Sequence, residues 1–138
     1  MSTVKKLIYW LPAGIFAVCV FYLSSISNPP GVRLLQFIPN SDKLAHMTEY
    51  FILSSLIFFA LARGHNIKTN KAIIIAILLT AAYAITDEYH QSFTPGRSMD
   101  VLDWAADTAG AIIVSTRYEV QSTKLKRKKL SKGVNIKP

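Results

Sequence analysis

The stretch from Thr86 to Asp107, T-D-E-Y-H-Q-S-F-T-P-G-R-S-M-D-V-L-D-W-A-A-D, decides how the rest of the chain is read. Apolar runs lie on either side, one from Ala72 to Thr86 and one from Met99 to about Thr116. Asp87, Glu88, His90, Gln91, Arg97, Asp100, Asp103 and Asp107 fall between or within them. The first run reaches the ~20 residues of a bilayer-crossing helix only by continuing through Asp87 to His90. Charge at that depth is costly, so these groups either satisfy one another in a buried polar cluster or hold a ligand.

Composition supports a membrane setting. Of 138 residues, 51% are hydrophobic and 17% charged, and the apolar residues come in blocks rather than in a short amphipathic period. The net charge of +8 would suggest nucleic acid for a soluble protein. Here the basic residues stand beside hydrophobic spans, where they act as topology signals, and no nucleic-acid partner is expected. Cys19 is the single cysteine. An intramolecular disulfide and a thiolate metal site are therefore both excluded, and Cys19 reads as a small hydrophobe.

Working outward, Leu7 to Ser27 follows Lys5 and Lys6 and has the length of a span. Ser25-Ile26-Ser27 is a poor cleavage site, so a retained anchor is expected, with Pro12 at an early turn or a mild kink. Asn28-Pro29-Pro30-Gly31 stops that helix, and Val32 to Pro39 is a short apolar loop suited to the interface. Ser41 or Asp42 is placed to cap a second span, Lys43 or Leu44 to Ala62, which Arg63-Gly64 closes. A polar loop at Lys68 to Lys71 leads to the third span, and Phe93-Thr94-Pro95-Gly96 turns into the fourth. The expectation is an all-α, integral membrane four-helix bundle. A single four-span domain covers 1–118, and a basic tail covers 119–138.

The amino end, the Arg63–Lys71 loop and the tail together hold thirteen of the sixteen Lys and Arg; Arg33, Lys43 and Arg97 are the rest. That asymmetry places both termini in the cytoplasm of a multi-pass inner-membrane protein. The tail would be drawn to anionic lipids of the inner leaflet. The acids divide the other way: all but Glu119 belong to the opposite half. Polar regions distant in sequence thus meet on the extracytoplasmic side.

At 100° per residue, Asp42, His46, Glu49, Tyr50 and Leu53 share one face of the second span. Tyr83, Asp87 and Gln91 share a face of the third, with Glu88 and His90 to either side. Asp100, Asp103 and Asp107 share a face of the fourth, beside Gly110 and Ala111. Three polar stripes are comfortable only facing inward. Gly110 with Ala106 and Ala109 lets a neighbouring helix approach closely. Trp10 and Tyr22 read as interface aromatics, and Trp104 as a helix-packing residue.

Two chemistries suit this constellation. A divalent metal would relieve the crowding of acids, with His46, Glu49, Asp87, His90 and Asp103 as candidate ligands, although no established ligand spacing is met. Alternatively, a His that titrates near neutrality beside carboxylates supplies an acid and base pair. The candidate catalytic set is His46, Glu49, Asp87, Glu88, Gln91, Arg97 and Asp103. Lys43, Tyr50, Arg97 and Asp107 are the candidates for substrate binding. Arg97, on a Pro-Gly turn, suits a phosphate or carboxylate by bidentate hydrogen bonding, or else pairs with Asp100 or Asp103. Lys43 either snorkels to the interface or serves as counter-ion to the acids.

Asp42-Lys43-x-x-His46-x-x-x-Tyr50, then Asp87-Glu88-x-x-Gln91-x-Phe93-x-Pro95-Gly96-Arg97, then Asp100, Asp103, Asp107 and Gly110, resembles the VanZ-like family of membrane proteins. The resemblance covers about Asp42 to Gly110, and members often carry Asn where this chain has Asp107. It implies a small bacterial cell-envelope protein with several spans, of a kind associated with resistance to the glycopeptide teicoplanin. It leaves the reaction open. The expected role is tolerance of such glycopeptides or cell-wall lipid metabolism, through an enzyme acting on a lipid-linked or anionic substrate at the outer face. The alternatives are a non-enzymatic binder of lipid or antibiotic and an ion-coupled transporter. Membrane lipids, a lipid-linked cell-wall precursor and a glycopeptide are the expected partners.

Overall fold

The helices follow from the apolar blocks and end where Ser, Pro, Gly and charge interrupt them. The computed structural model describes residues 3–27, 41–97 and 101–114, and among these there is no strand. Helix α1 is Thr3–Ser24, α2 is Ser41–Phe59, α3 is Thr69–Gln91, and α4 covers 101–114. A wider, π-helical turn, Ala60–Gly64, prolongs α2.

Three stretches are long and apolar enough to cross a membrane: Thr3–Ser24, Lys43–Gly64 and Thr69–Gln91, of 22, 22 and 23 residues. At about 1.5 Å per residue each exceeds the ~30 Å hydrocarbon core. As the sequence required, α3 reaches that length by continuing through Asp87 and Glu88 to Gln91. The fourth expected span, Met99 to Thr116, is described only over 101–114. The Asn28–Pro39 connection, Asp100, the side chain of Asp42 and the tail from 119 also lie outside the described residues.

Several boundaries differ from expectation: α1 ends at Ser24 rather than Ser27, and α3 begins at Thr69, inside the expected Lys68–Lys71 loop. Helix α1 begins at Thr3, four residues before the apolar run, so Pro12 sits in the helix interior rather than at an early turn. Proline there removes one ladder hydrogen bond, a defect that membrane helices tolerate when neighbours re-satisfy the carbonyl. Helix α2 already includes Ser41, so the capping position precedes it, outside the described residues.

On α3, packing turns a stripe of mainly small residues inward. The inward stripe of α3 runs Ala72, Ala76, Thr80 and Ala84, all fully buried, and passes directly into buried Asp87, Glu88 and Gln91. Tyr50, Leu53, Ile57 and Phe58 of α2 and Leu61 of the turn that prolongs it fill the centre with Ala13 and Val20 of α1 and Val114 of α4. Large apolar side chains instead cover the outer faces: Leu7, Leu11, Ile15 and Val18 of α1, Ile74, Leu78 and Ile85 of α3, and Val101, Leu102 and Ile112 of α4 are exposed. Apolar surface on every helix suits lipid rather than water as solvent.

Helix α4 packs closely on α2 at Gly110. A Cβ added at Gly110 would overlap the Met47 carbonyl, so glycine sets that helix spacing. By contrast, a Cβ at Gly14 would meet nothing within 4 Å. Gly110→Ala should therefore lower the melting temperature of the detergent-solubilised protein, at an overpacking cost of about 1–3 kcal/mol. Gly14→Ala should leave it unchanged or raise it.

Candidate functional site

The polar end of the bundle is built around Asp87, which is 2% exposed. One carboxylate oxygen, Oδ2, accepts from Ser24 Oγ at 2.8 Å, Tyr50 OH at 2.9 Å and Gln91 Nε2 at 2.9 Å. The donors come from α1, α2 and α3 itself. Even at the centre of a membrane helix a carboxylate would cost about 3 kcal/mol, and a hydrogen bond to a charged group returns about 1.5–3. Three such bonds are enough to hold it. The second oxygen, Oδ1, is buried without a hydrogen-bond partner among the described residues.

Arg97 joins this network from the turn that ends α3. Thr94 O accepts from Arg97 N at 3.0 Å, and Gly96 between them has φ of 81°. With Pro95 ahead of it this is a type II turn, where only Gly takes the left-handed position at no steric cost. Thr94 is tied down by its own hydroxyl, which donates to Ser24 O at 3.2 Å. The Arg97 guanidinium donates to Gln91 Oε1 at 3.1 Å. Ser24, Asp87, Gln91 and Arg97 thus form one chain of bonds from the core to a half-buried cation. Asp103, one of the two partners considered for Arg97, is instead bonded by Lys43 Nζ; the other, Asp100, lies outside the described residues.

A second cluster lies between α2, α3 and α4. His46 Nδ1 is 3.1 Å from Asp107 Oδ1, and the Asp107 side chain is wholly buried. Donor atoms of His46, Glu88 and Asp107 all lie within 4.8 Å of one another. The His46 and Tyr50 rings are parallel, with centroids 6.5 Å apart, so Tyr50 connects the cluster to Asp87. Glu49 is half-buried, one turn beyond His46.

Of the residues proposed as metal ligands from sequence, only His46 belongs to the grouping found among the described residues. Asp87 is turned toward Ser24, Tyr50 and Gln91, and Asp103 toward Lys43. His90 faces α1: its Nε2 is 2.9 Å from Ser25 Oγ, and its ring stacks on Phe21 at 4.0 Å. Glu88, one residue and 100° on from Asp87, takes the place given to Asp87. From the sequence, Thr94 reads as a turn hydroxyl rather than a nucleophile, and Ser24 as part of the first span. The signal for Ser24 was the Ser24-Ser25 pair at the end of an apolar span; Thr94 had only its place before a Pro-Gly turn.

Tyr50→Phe removes one of three donors and should destabilise the solubilised protein by about 1.5–3 kcal/mol. Asp87→Ala strands Ser24, Tyr50 and Gln91 together, so its melting temperature should fall further than that of Tyr50→Phe.

No curated protein and no solved structure matches this chain. The VanZ/LLP1 family model matches residues 2–120, a range that contains every residue of both clusters. With its apolar helices and this match over most of its length, the chain is a membrane protein that belongs to the VanZ/LLP1 family.

Proposed function

We propose that this VanZ-like envelope protein resides in the bacterial cytoplasmic membrane with both ends inside. Its polar end opens outward, and there it acts on an anionic, lipid-linked cell-wall substrate. The consequence for the cell would be tolerance of teicoplanin-like glycopeptides, which act on that side of the membrane. The observation that carries this reading is the guanidinium of Arg97, oriented by Gln91 on a rigid Pro-Gly turn at the end of an apolar bundle. An oriented guanidinium beside lipid suits a phosphate or carboxylate head group, because a planar fork of donors matches paired anionic oxygens. The hydrogen-bonded His46 and Asp107 supply a proton acceptor and donor one helix away.

A second reading has an observation of its own. Donors from three helices converge on Asp87 Oδ2, which favours a fixed scaffold. The same end would then grip a lipid head group or antibiotic without turnover. Tight stoichiometric binding with no altered product would identify that case.

The test uses a strain in which the chain confers teicoplanin tolerance. Arg97→Ala should abolish that tolerance at normal membrane levels, and Arg97→Lys, which keeps the charge but loses the fork, should retain only part of it. Full tolerance with Arg97→Ala would refute anion recognition by this residue.

A further inference from the structure

We infer that His46, Glu88 and Asp107 form a binding site for one divalent first-row cation, of the zinc or manganese type. Three helices each contribute one residue, and their donor atoms lie within 4.8 Å of one another. Ligands around a zinc ion sit at about 2.0–2.2 Å from it, hence roughly 3.5 Å from one another, so a closure of about an ångström would bring all three into ligating range, with water in the remaining position. Rotamer adjustment of one histidine and two acids is enough for that.

The pointer to a ligand lies at Asp107. Its side chain is completely buried, and while Oδ1 contacts His46, Oδ2 is buried with no hydrogen-bond partner among the described residues. A buried carboxylate oxygen left in that state forfeits its solvation without return. A cation bridging Asp107, Glu88 and the imidazole would supply the missing partner and offset two acids that are 0% and 3% exposed. One nitrogen and two carboxylate donors, with no thiolate, select zinc or manganese over soft metals. Gly110 reinforces the geometry, since its lack of a side chain lets α4 approach the α2 backbone at Met47, next to His46. The site does not involve Arg97, so it stands or falls separately from anion recognition; with the cation bound, His46 and Asp107 would serve as its ligands in place of a proton donor and acceptor pair.

The test is direct binding to the full chain in detergent. After chelator treatment, isothermal titration with Zn2+ should show one saturable site per chain. His46→Ala and Asp107→Asn should each weaken it at least tenfold, while His65→Ala and His90→Ala leave it intact. Absence of one-to-one binding by wild type, or full binding by both His46→Ala and Asp107→Asn, would overturn the site. Should those variants not fold, wild type alone decides through zinc-edge X-ray absorption. A shell of oxygens with a single imidazole is expected, and two or more imidazoles, drawn from His65 or His90, would overturn it.

Discussion

The structure depends on how a carboxylate is held where water is scarce. Asp87 stands at the end of an alanine-lined helix face, and its Oδ2 accepts hydrogen bonds from side chains of α1, α2 and α3. Apolar packing between membrane helices specifies register weakly, because lipid tails are as apolar as the side chains they replace. A shared polar acceptor supplies the missing specificity: α1 and α2 must present Ser24 and Tyr50 at the same depth or strand a charge. The neighbouring bonds repeat the device at lower cost, with Tyr83 OH donating to Ala17 O at 2.7 Å and Trp104 Nε1 to Ala81 O at 3.4 Å.

Once Asp87 fixes three helices, the chemistry of the polar end falls into two parts that meet at Tyr50. Its hydroxyl bonds Asp87 while its ring lies parallel to that of His46. On one side Gln91 passes the network on to Arg97 and the turn. On the other, α4 brings Asp107 to His46 and Asp103 to Lys43. The proposed anion recognition and the inferred cation site are thus joined through one tyrosine.

Much of this was legible in the residues. The length of α3 through Gln91 followed from an apolar run too short to cross a bilayer without its charged end. The polar stripes of α2 and α4 followed from a 100° step, and Gly110 was read as a close-packing residue. What the step angle leaves open is the rotation of each helix against its neighbours. Asp87 and Glu88 are adjacent in sequence, both are buried, and they belong to different clusters. Which acid faces α1 and which faces α4 depends on tertiary packing. For the same reason His90 was grouped with the acids and is found against Phe21 and Ser25. Ser24 escaped notice because a single hydroxyl in a span usually bonds its own backbone.

The measurement that bears most directly on the proposed outward-opening site is membrane sidedness. Single cysteines at Ser92, beside the polar end, and at Asn70, at the start of α3, would be introduced into a Cys19→Ser background and treated in intact cells with a membrane-impermeant maleimide. The expected result is labelling of Ser92→Cys in intact cells and of Asn70→Cys only after permeabilisation. The reverse pattern would turn the polar end toward the cytoplasm and contradict a role at the outer face.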